Sequence, residues 1–395
     1  MPGFELFGNE ERKEVQDVME TGILFRYNHD AERKGIWKAR EFEKELAAYH
    51  GVKHALLCSS GSAGVAISLA ACGIGVGDEV IVPPFTFLAT IEAVLMAGAV
   101  PVFADIDETM CLSVNGIQKV LTPNTKAVLL VHMCGAMADI IGIKELCDSK
   151  NIILIEDTAQ AMTSSYKGKY AGTFGAVGSF SFDFFKIITC GEGGAVITND
   201  DKKFEIIHTW ADHGHNHVGD NRGMEDHPNL GFNYRISELH AAVGLAQFRK
   251  IDHILETQRK NKKYLKDILK QFPQITFRKH FDEAGDSATF LSFFLPDAET
   301  AFKISNVMAK EGVGGAYWYN NNYHFIKNWG HLKDLKSPGK LPVTMFKHQD
   351  YHNLDLKTSY DVVSRLISFQ VKVGWTEQQF KEIGDKLYNV FKNNL

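Results

Sequence analysis

Apolar positions along the chain come in short continuous runs: His54 to Cys58, Glu79 to Val82, Val100 to Ala104, Ala127 to Val131, Ile152 to Glu156, Gly178 to Phe182 and Gly194 to Thr198. Runs of this length, rich in β-branched residues, predict strands, and most are separated by stretches with helical character, such as Ala63 to Cys72. Strands that are apolar throughout, rather than at every second residue, are buried on both faces. That pattern predicts an α/β fold with a mostly parallel central sheet covered by helices.

Before the first strand, Asn9 to Glu20 reads as a short helix and Thr21 to Arg40 as an ordered loop, aromatic and charged without a period. Phe42, Leu46 and Tyr49 recur at helical spacing between Trp37 and Gly51, a glycine suited to a C-cap. After Gly231 a long helical region runs from Ser237 to about Leu269, and strands and helices of a second unit continue to Leu395. We expect a large domain over 1–251 and a smaller C-terminal α/β domain over 252–395. Proline and glycine do not cluster into a flexible linker, so the two should be rigidly joined.

A chain of 395 residues with 45% hydrophobic content can bury a large core and a satellite. A net charge of -5 leaves no basic excess to neutralise a phosphate backbone, which argues against nucleic acid as a partner. The first residues lack the basic and apolar regions of a secretory signal, and the apolar run from Ala89 to Val102 is too short to span a bilayer. The six cysteines form no C-x-x-C pair, which suits reduced thiols. These features predict a cytoplasmic protein with no membrane contact.

The most informative stretch is SFSFDFFKIITCGEGGAVIT, Ser179 to Thr198, where Lys186 sits in an apolar neighbourhood before a glycine-rich turn. Burial disfavours the ammonium and supplies the neutral amine that imine chemistry needs. An isolated lysine there would more often be a surface residue; the other motifs change the picture. Ile152 to Gln160 places acidic residues just beyond a strand's C-terminal end, where open α/β sheets build their sites. Asp157 fits the carboxylate that keeps a pyridine nitrogen protonated, although a helix N-cap is the plainer use of such a residue. Ser59 to Ala63 offers hydroxyls and free amides at a helix start, a cradle for phosphate. Phe87 could stack on an aromatic ring. Lysine, carboxylate, phosphate turn and aromatic are together what pyridoxal 5'-phosphate demands.

In their order, the motifs SSGSA, VPPFTFLAT, EDTAQA, SFSFDFFKIITCGEGG and GFNYRISE resemble the DegT/StrS sugar aminotransferases over nearly the whole chain. The resemblance implies the fold-type I PLP-dependent transferase architecture (aspartate aminotransferase-like) and a transaminase moving nitrogen from L-glutamate to a keto-sugar. By motif it implies Lys186 as the Schiff-base lysine, Asp157 as the pyridinium partner, Gln160 on the phenolic oxygen and Phe87 on the ring. Gly61, Ser62, Ala63 and Ser181 would hold the phosphate. Arg235, where many relatives have asparagine, stands where the neighbouring subunit reaches it, which implies a homodimer with shared sites. Stretches outside the cofactor motifs, among them FRYN, LVHMCG and DHGHNHVG, resemble family members that aminate an octulosonate for lipopolysaccharide. The expected acceptor is accordingly 8-oxo-3,8-dideoxy-D-manno-octulosonate; a nucleotide-linked 3- or 4-keto-6-deoxyhexose is the alternative, and a non-catalytic PLP-binding regulator a third reading.

Both donor and octulosonate carry carboxylates, for which arginine is the suitable fork. Arg26, Arg40, Arg222 and Arg235 are candidates, and Arg26, Tyr27, His213, His215 and Tyr319 are nominated as substrate contacts. The alternating histidines from His213 to His217 could ligate a metal, line the substrate mouth, or form a solvated loop; we expect no metal.

Overall fold

In the computed structural model, which describes residues 3–219 and 221–395, the apolar runs become the strands of one sheet. These are β1 (His54–Cys58), β2 (Glu79–Val82), β3 (Val100–Phe103), β4 (Thr125–Val131), β5 (Ile153–Asp157), β8 (Val177–Ser181) and β9 (Gly194–Thr198), with the short hairpin β6 (Ser165–Tyr166) and β7 (Lys169–Tyr170) set apart. The seven-stranded order is β1-β9-β8-β5-β4-β2-β3. Neighbours from β8 to β3 pair parallel, and β9 runs antiparallel to both β8 and β1. Every residue of β3, β8 and β9 is buried, as expected of strands covered on both faces.

A second, antiparallel sheet has the order β10-β11-β13-β12, from β10 (Thr276–Phe277), β11 (Phe290–Phe294), β12 (Ala316–Tyr317) and β13 (Leu366–Gln370). Its outer face holds Leu291, Phe293, Ile367 and Phe369 in a core with Leu265, Ile304 and Phe391. Residues 318–356 instead fold back over the first sheet. Phe325, Trp329 and Tyr351 are buried in the same apolar cluster as β2 and β4, and Thr86 and Leu88 donate backbone hydrogen bonds to His324 and Tyr323 (3.0 and 3.0 Å).

The helical region expected from Ser237 to Leu269 is two helices, Glu238–Phe248 and Ile251–Leu269. No proline or glycine marks the break, so sequence patterning could not show it. What changes is burial: the first helix is hidden on most sides, at Ala241, Ala242, Gly244, Leu245 and Ala246, against Asn9–Thr21 and Lys38–His50. The second presents a single stripe. Its start, Ile251 and Ile254, belongs to the core of Phe42 and Phe182, and its end, Leu265 and Leu269, to the core of the second sheet. The division near Asp252 thus falls in the first turn of a helix that serves both cores. Residues 22–37, read as an ordered loop, carry no helix or strand and are held by buried Arg33, which donates to the carbonyls of Asn28 (2.7 Å) and Tyr27 (3.2 Å) and pairs with Glu238 (3.3 Å).

Gly178 in β8 leaves no room for a side chain, since a Cβ there would stand 2.4 Å from the Gly172 carbonyl oxygen and 2.5 Å from its Cα. Backbone cannot yield as a flexible side chain can. Gly178→Ala should destabilise the fold by about 1–3 kcal/mol, read as a lowered thermal midpoint; an unchanged midpoint would show that the β8 contact is loose.

Candidate active site

The parallel strands β1, β4, β5 and β8 deliver their C-terminal ends to one edge of the sheet, where open α/β folds place ligands. There a cavity of about 840 Å³ opens beneath the second sheet, and it brings together Gly61, Ser62, Phe87, Asp157, Gln160, Ser181 and Lys186.

Strand alternation separates the two acids at the end of β5. Glu156 is completely buried and spent on structure: Oε1 accepts from the backbone of Phe174 (2.7 Å) and Gly175 (2.6 Å), and Oε2 from Gly172 (2.9 Å) and His132 Nε2 (2.9 Å). Because the Ala138 amide donates to His132 Nδ1 (3.3 Å), the ring proton lies on Nε2 and points at Glu156. Burial pushes the Glu156 carboxyl up, but His132 and the amides of Gly175 and Gly172 outweigh it and hold it below its usual range.

Asp157 faces the cavity. Oδ1 accepts from the Ala159 amide (3.0 Å) and Oδ2 from the Thr90 hydroxyl (2.9 Å), and Thr90 is itself 3.0 Å from Thr86 Oγ1. Burial raises this carboxyl above its usual range, and Ala159, Thr90 and Lys186 offset only part of that. A carboxylate oriented by two donors yet left under-compensated fits a protonated ring nitrogen.

Lys186 follows β8. Burial lowers its ammonium, opposed by Asp183, Asp157 and Cys134, and its Nζ has no hydrogen-bond or ion-pair partner among the described residues. Gln160 accepts from the Cys134 amide through Oε1 (3.1 Å), which turns its NH2 away from that backbone. The phosphate end is tight: a Cβ on Gly61 would lie 2.6 Å from Ser181 Cβ, so glycine brings the amides of Gly61 and Ser62 beside the Ser181 hydroxyl. Ala63 differs from the expectation. Its N–H is taken by Ser60 Oγ (3.1 Å) and its side chain is buried in the core, so it has no free donor for a phosphate.

Sequence reasoning missed most of the cavity's opposite wall. Phe290, Ala316, Trp318, Asn321, Tyr323, His324, Ser368 and Gln370 come from the second sheet and from the segment folded back over the first. Nothing in their local pattern marks them, because only the tertiary fold brings them there; Thr90, by contrast, lies inside the motif VPPFTFLAT. His324, hydrogen-bonded through Nδ1 to Asn321 Oδ1 (2.9 Å), is pushed down to about 4 by burial and by Lys186, which leaves it neutral at physiological pH.

The nominated substrate residues and Arg235 do not line this chain's cavity. Buried Asp212 binds Arg222 through both nitrogens (2.9 and 2.9 Å), His217 Nε2 (2.9 Å) and Arg235, and these partners, outweighing burial, hold its carboxyl far below the usual range. Tyr27 packs on His217 at 4.2 Å, and Arg26 is committed to Glu43 (2.6 Å) and the Leu57 carbonyl (3.2 Å). His215 contacts Glu225 (3.0 Å), exposed His213 uses its carbonyl to accept from His227 (3.0 Å), and Tyr319 lies under Lys327 Nζ (4.0 Å to its ring centroid).

The fold and the lysine–carboxylate cavity define a fold-type I, pyridoxal-phosphate-dependent transferase scaffold. The chain belongs to the DegT/DnrJ/EryC1/StrS aminotransferase family, whose model matches residues 6–387. It is similar to the L-glutamine:2-deoxy-scyllo-inosose aminotransferase of Streptomyces kanamyceticus, 39% identical over 284 residues that cover 67% of this chain and 64% of that one. It is also similar to the GDP-perosamine synthase of Caulobacter vibrioides, 41% identical over 224 residues covering 54% and 57%. The matched stretches thus span less than two thirds of either relative. Among solved structures, the aminotransferase from Psychrobacter cryohalolentis superposes with a TM-score of 0.85 at 26% identity, covering 98% of each chain.

Because burial raises Asp157 in the fold above its unfolded value, the ionised form is the less stable one in the native chain, and stability is lost as pH rises above the ordinary carboxylate range. In the cofactor-free chain, Asp157→Asn should therefore raise the thermal midpoint at pH 8 and raise it less at pH 4. No difference between the two would mean that Asp157 carries no desolvation cost.

Proposed function

We propose that this chain is a PLP-dependent aminotransferase that moves an amino group from L-glutamate to the carbonyl of a sugar. The observation that carries it is Lys186, an unpaired amine sharing one cavity with Asp157, whose two oxygens are fixed by Thr90 and Ala159. Asp157 would hold the cofactor's ring nitrogen protonated, Gln160 its phenolic oxygen, Phe87 its ring face, and Gly61, Ser62 and Ser181 its phosphate, with Arg235 reaching that phosphate from a second copy. When bound, the cofactor supplies an electron sink for the charge left by removal of the donor's α-proton. Lys186 Nζ takes that proton, as a base made available by burial, and in the second half-reaction delivers one to the sugar carbon that receives nitrogen. Phe290 and Trp318 exclude water from the same space.

For the acceptor we infer 8-oxo-3,8-dideoxy-D-manno-octulosonate, giving the 8-amino sugar for lipopolysaccharide, on the likeness of segments outside the cofactor motifs. A second reading, a nucleotide-linked 3- or 4-keto-6-deoxyhexose, is favoured by the similarity to a GDP-perosamine synthase. Lys186 is the cavity's only basic lining residue apart from neutral His324, among the described residues, although the donor and the octulosonate both bear carboxylates. Arg222 and Arg235, two cations on the single carboxylate of Asp212, would supply that charge from a partner copy in a homodimer. Their segment exposes Val218, Met224, Leu230 and Phe232, apolar surface that a second chain would cover. No helix among the described residues is long and apolar enough to cross a membrane.

The purified protein supplied with PLP should show a visible absorption band that fades on adding L-glutamate and is absent or altered in Lys186→Ala; no response would leave the non-catalytic reading in its place. Offering each acceptor to the glutamate-treated protein then separates the two sugars, since only the true one restores the band. Arg222→Ala should raise the KM for a carboxylate-bearing acceptor roughly tenfold or more, the effect of one charged hydrogen bond, with the band intact and a mass of two chains on sizing. A fully active monomer would overturn the shared site.

A further inference from the structure

We propose that Arg278, in the C-terminal unit, is a positioning residue that sets the orientation of Gln160 across the boundary between the two sheets. Arg278 follows β10 and is 4% exposed. Its Nη1 donates to the carbonyls of Met133 (2.5 Å) and Cys134 (3.3 Å), and its Nη2 to the carbonyl of Ala136 (3.1 Å). One guanidinium thus grips three carbonyls of the turn after β4. That turn needs gripping: Cys134 has φ 50°, the left-handed region that non-glycine residues occupy only where their surroundings impose it, and Gly135 follows at φ 83°. Ser287, in the loop after Arg278, donates a backbone N–H hydrogen bond to the Gly135 carbonyl (2.9 Å).

In this conformation the Cys134 amide points at Gln160 Oε1 (3.1 Å). A backbone N–H can only donate, so the oxygen of the Gln160 amide must face it and the NH2 must face elsewhere. Gln160 lines the cavity, and its Nε2 has no partner among the described residues. Arg278 therefore fixes, through the left-handed turn, which end of Gln160 is offered to the cavity: the donor. This rests on the proposed function, in which that donor meets the cofactor's phenolic oxygen. A donor there would stabilise the oxygen's anionic form; without it the oxygen would be more basic and would hold a proton shared with the Lys186 nitrogen more tightly.

The test is a pH titration of the visible band in the holoenzyme for Gln160→Leu, Arg278→Lys and Arg278→Met. Lysine keeps a buried cation but cannot bridge Met133 and Ala136 together; methionine keeps the bulk. Gln160→Leu should move the midpoint upward, both Arg278 variants should move it the same way, and the Gln160→Leu, Arg278→Met double variant should move it no further than Gln160→Leu alone. In the cofactor-free chain, amide exchange at Cys134 and Gly135 should accelerate in either Arg278 variant more than in the rest of the chain, and Arg278→Lys carries the test if Arg278→Met fails to fold. If the turn loosens or the chain stays folded while the midpoint moves only in Gln160→Leu, Arg278 is an interdomain strut and the proposal is overturned. If the midpoint does not move in Gln160→Leu either, Gln160 does not meet the phenolic oxygen and the positioning role falls with it. Absence of any visible band in the parent protein instead removes the functional reading itself.

Discussion

A half-buried amine and a buried carboxylate in one cavity, without a hydrogen bond between them, are the constraint on which this molecule turns. In water Lys186 and Asp157 would both be charged and indifferent to each other; in the cavity, burial pushes each toward its neutral form while their mutual attraction pulls the other way. Neither tendency is satisfied by the chain itself. Thr90 and Ala159 hold the carboxylate's geometry without fully compensating its charge, and Lys186 has no partner at all among the described residues. Structural ion pairs elsewhere show the alternative: Glu156, one residue from Asp157, accepts four hydrogen bonds and is driven to its charged form. The contrast between adjacent acids leaves one free to meet a group in the cavity and makes the other a fastening.

The sheet makes that contrast possible. Parallel strands bring the ends of β4, β5 and β8 to one edge, and successive residues of a strand face opposite sides, so Asp157 enters the cavity while Glu156 secures the 172–175 turn. The second sheet then closes the cavity from above, with Ser368 and Gln370 of β13 and the returning segment at Trp318 to His324. Through Arg278 the C-terminal unit also grips the turn next to Gln160. Two cores that share the helix Ile251–Leu269 therefore share the site as well.

The strands were legible because they are apolar throughout, and each observed strand of the large sheet lies within two residues of the expected run. The residues around Lys186 were legible because their chemistry is rare and their spacing local. The break at Arg249–Lys250 was not, since what ends the helix there is a change in which face is buried. The opposite wall of the cavity was not either: Ser368 and His324 are ordinary residues until β13 and the backbone ladder at residues 84–88 bring them beside Lys186. At Ala63 the motif could not show which amides stay free, because the same helix start that offers free amides also uses Ser60 to cap one of them.

The residues nominated for substrate raise a different issue, one of charge. Arg26 is consumed by Glu43, whereas Arg222 and Arg235 together meet the buried carboxylate of Asp212, with the Glu225 carboxylate close by at His215 and His217, at a half-buried surface beside Phe25 and Tyr27. The cavity's own carboxylates, Asp157, Asp183 and Glu192, outnumber its single ammonium. Under the proposed function, a site for carboxylate-bearing substrates could not rest on that balance, since like charges within a few ångströms repel and the desolvated interior magnifies the effect. Either a second chain brings the Asp212 cluster to the cavity mouth or the substrate's carboxylate stays outside in solvent. Within the proposed function, the exposed apolar residues flanking Arg222 and Arg235 favour the first, because apolar surface beside guanidinium groups is what an interface between two copies would bury and use together.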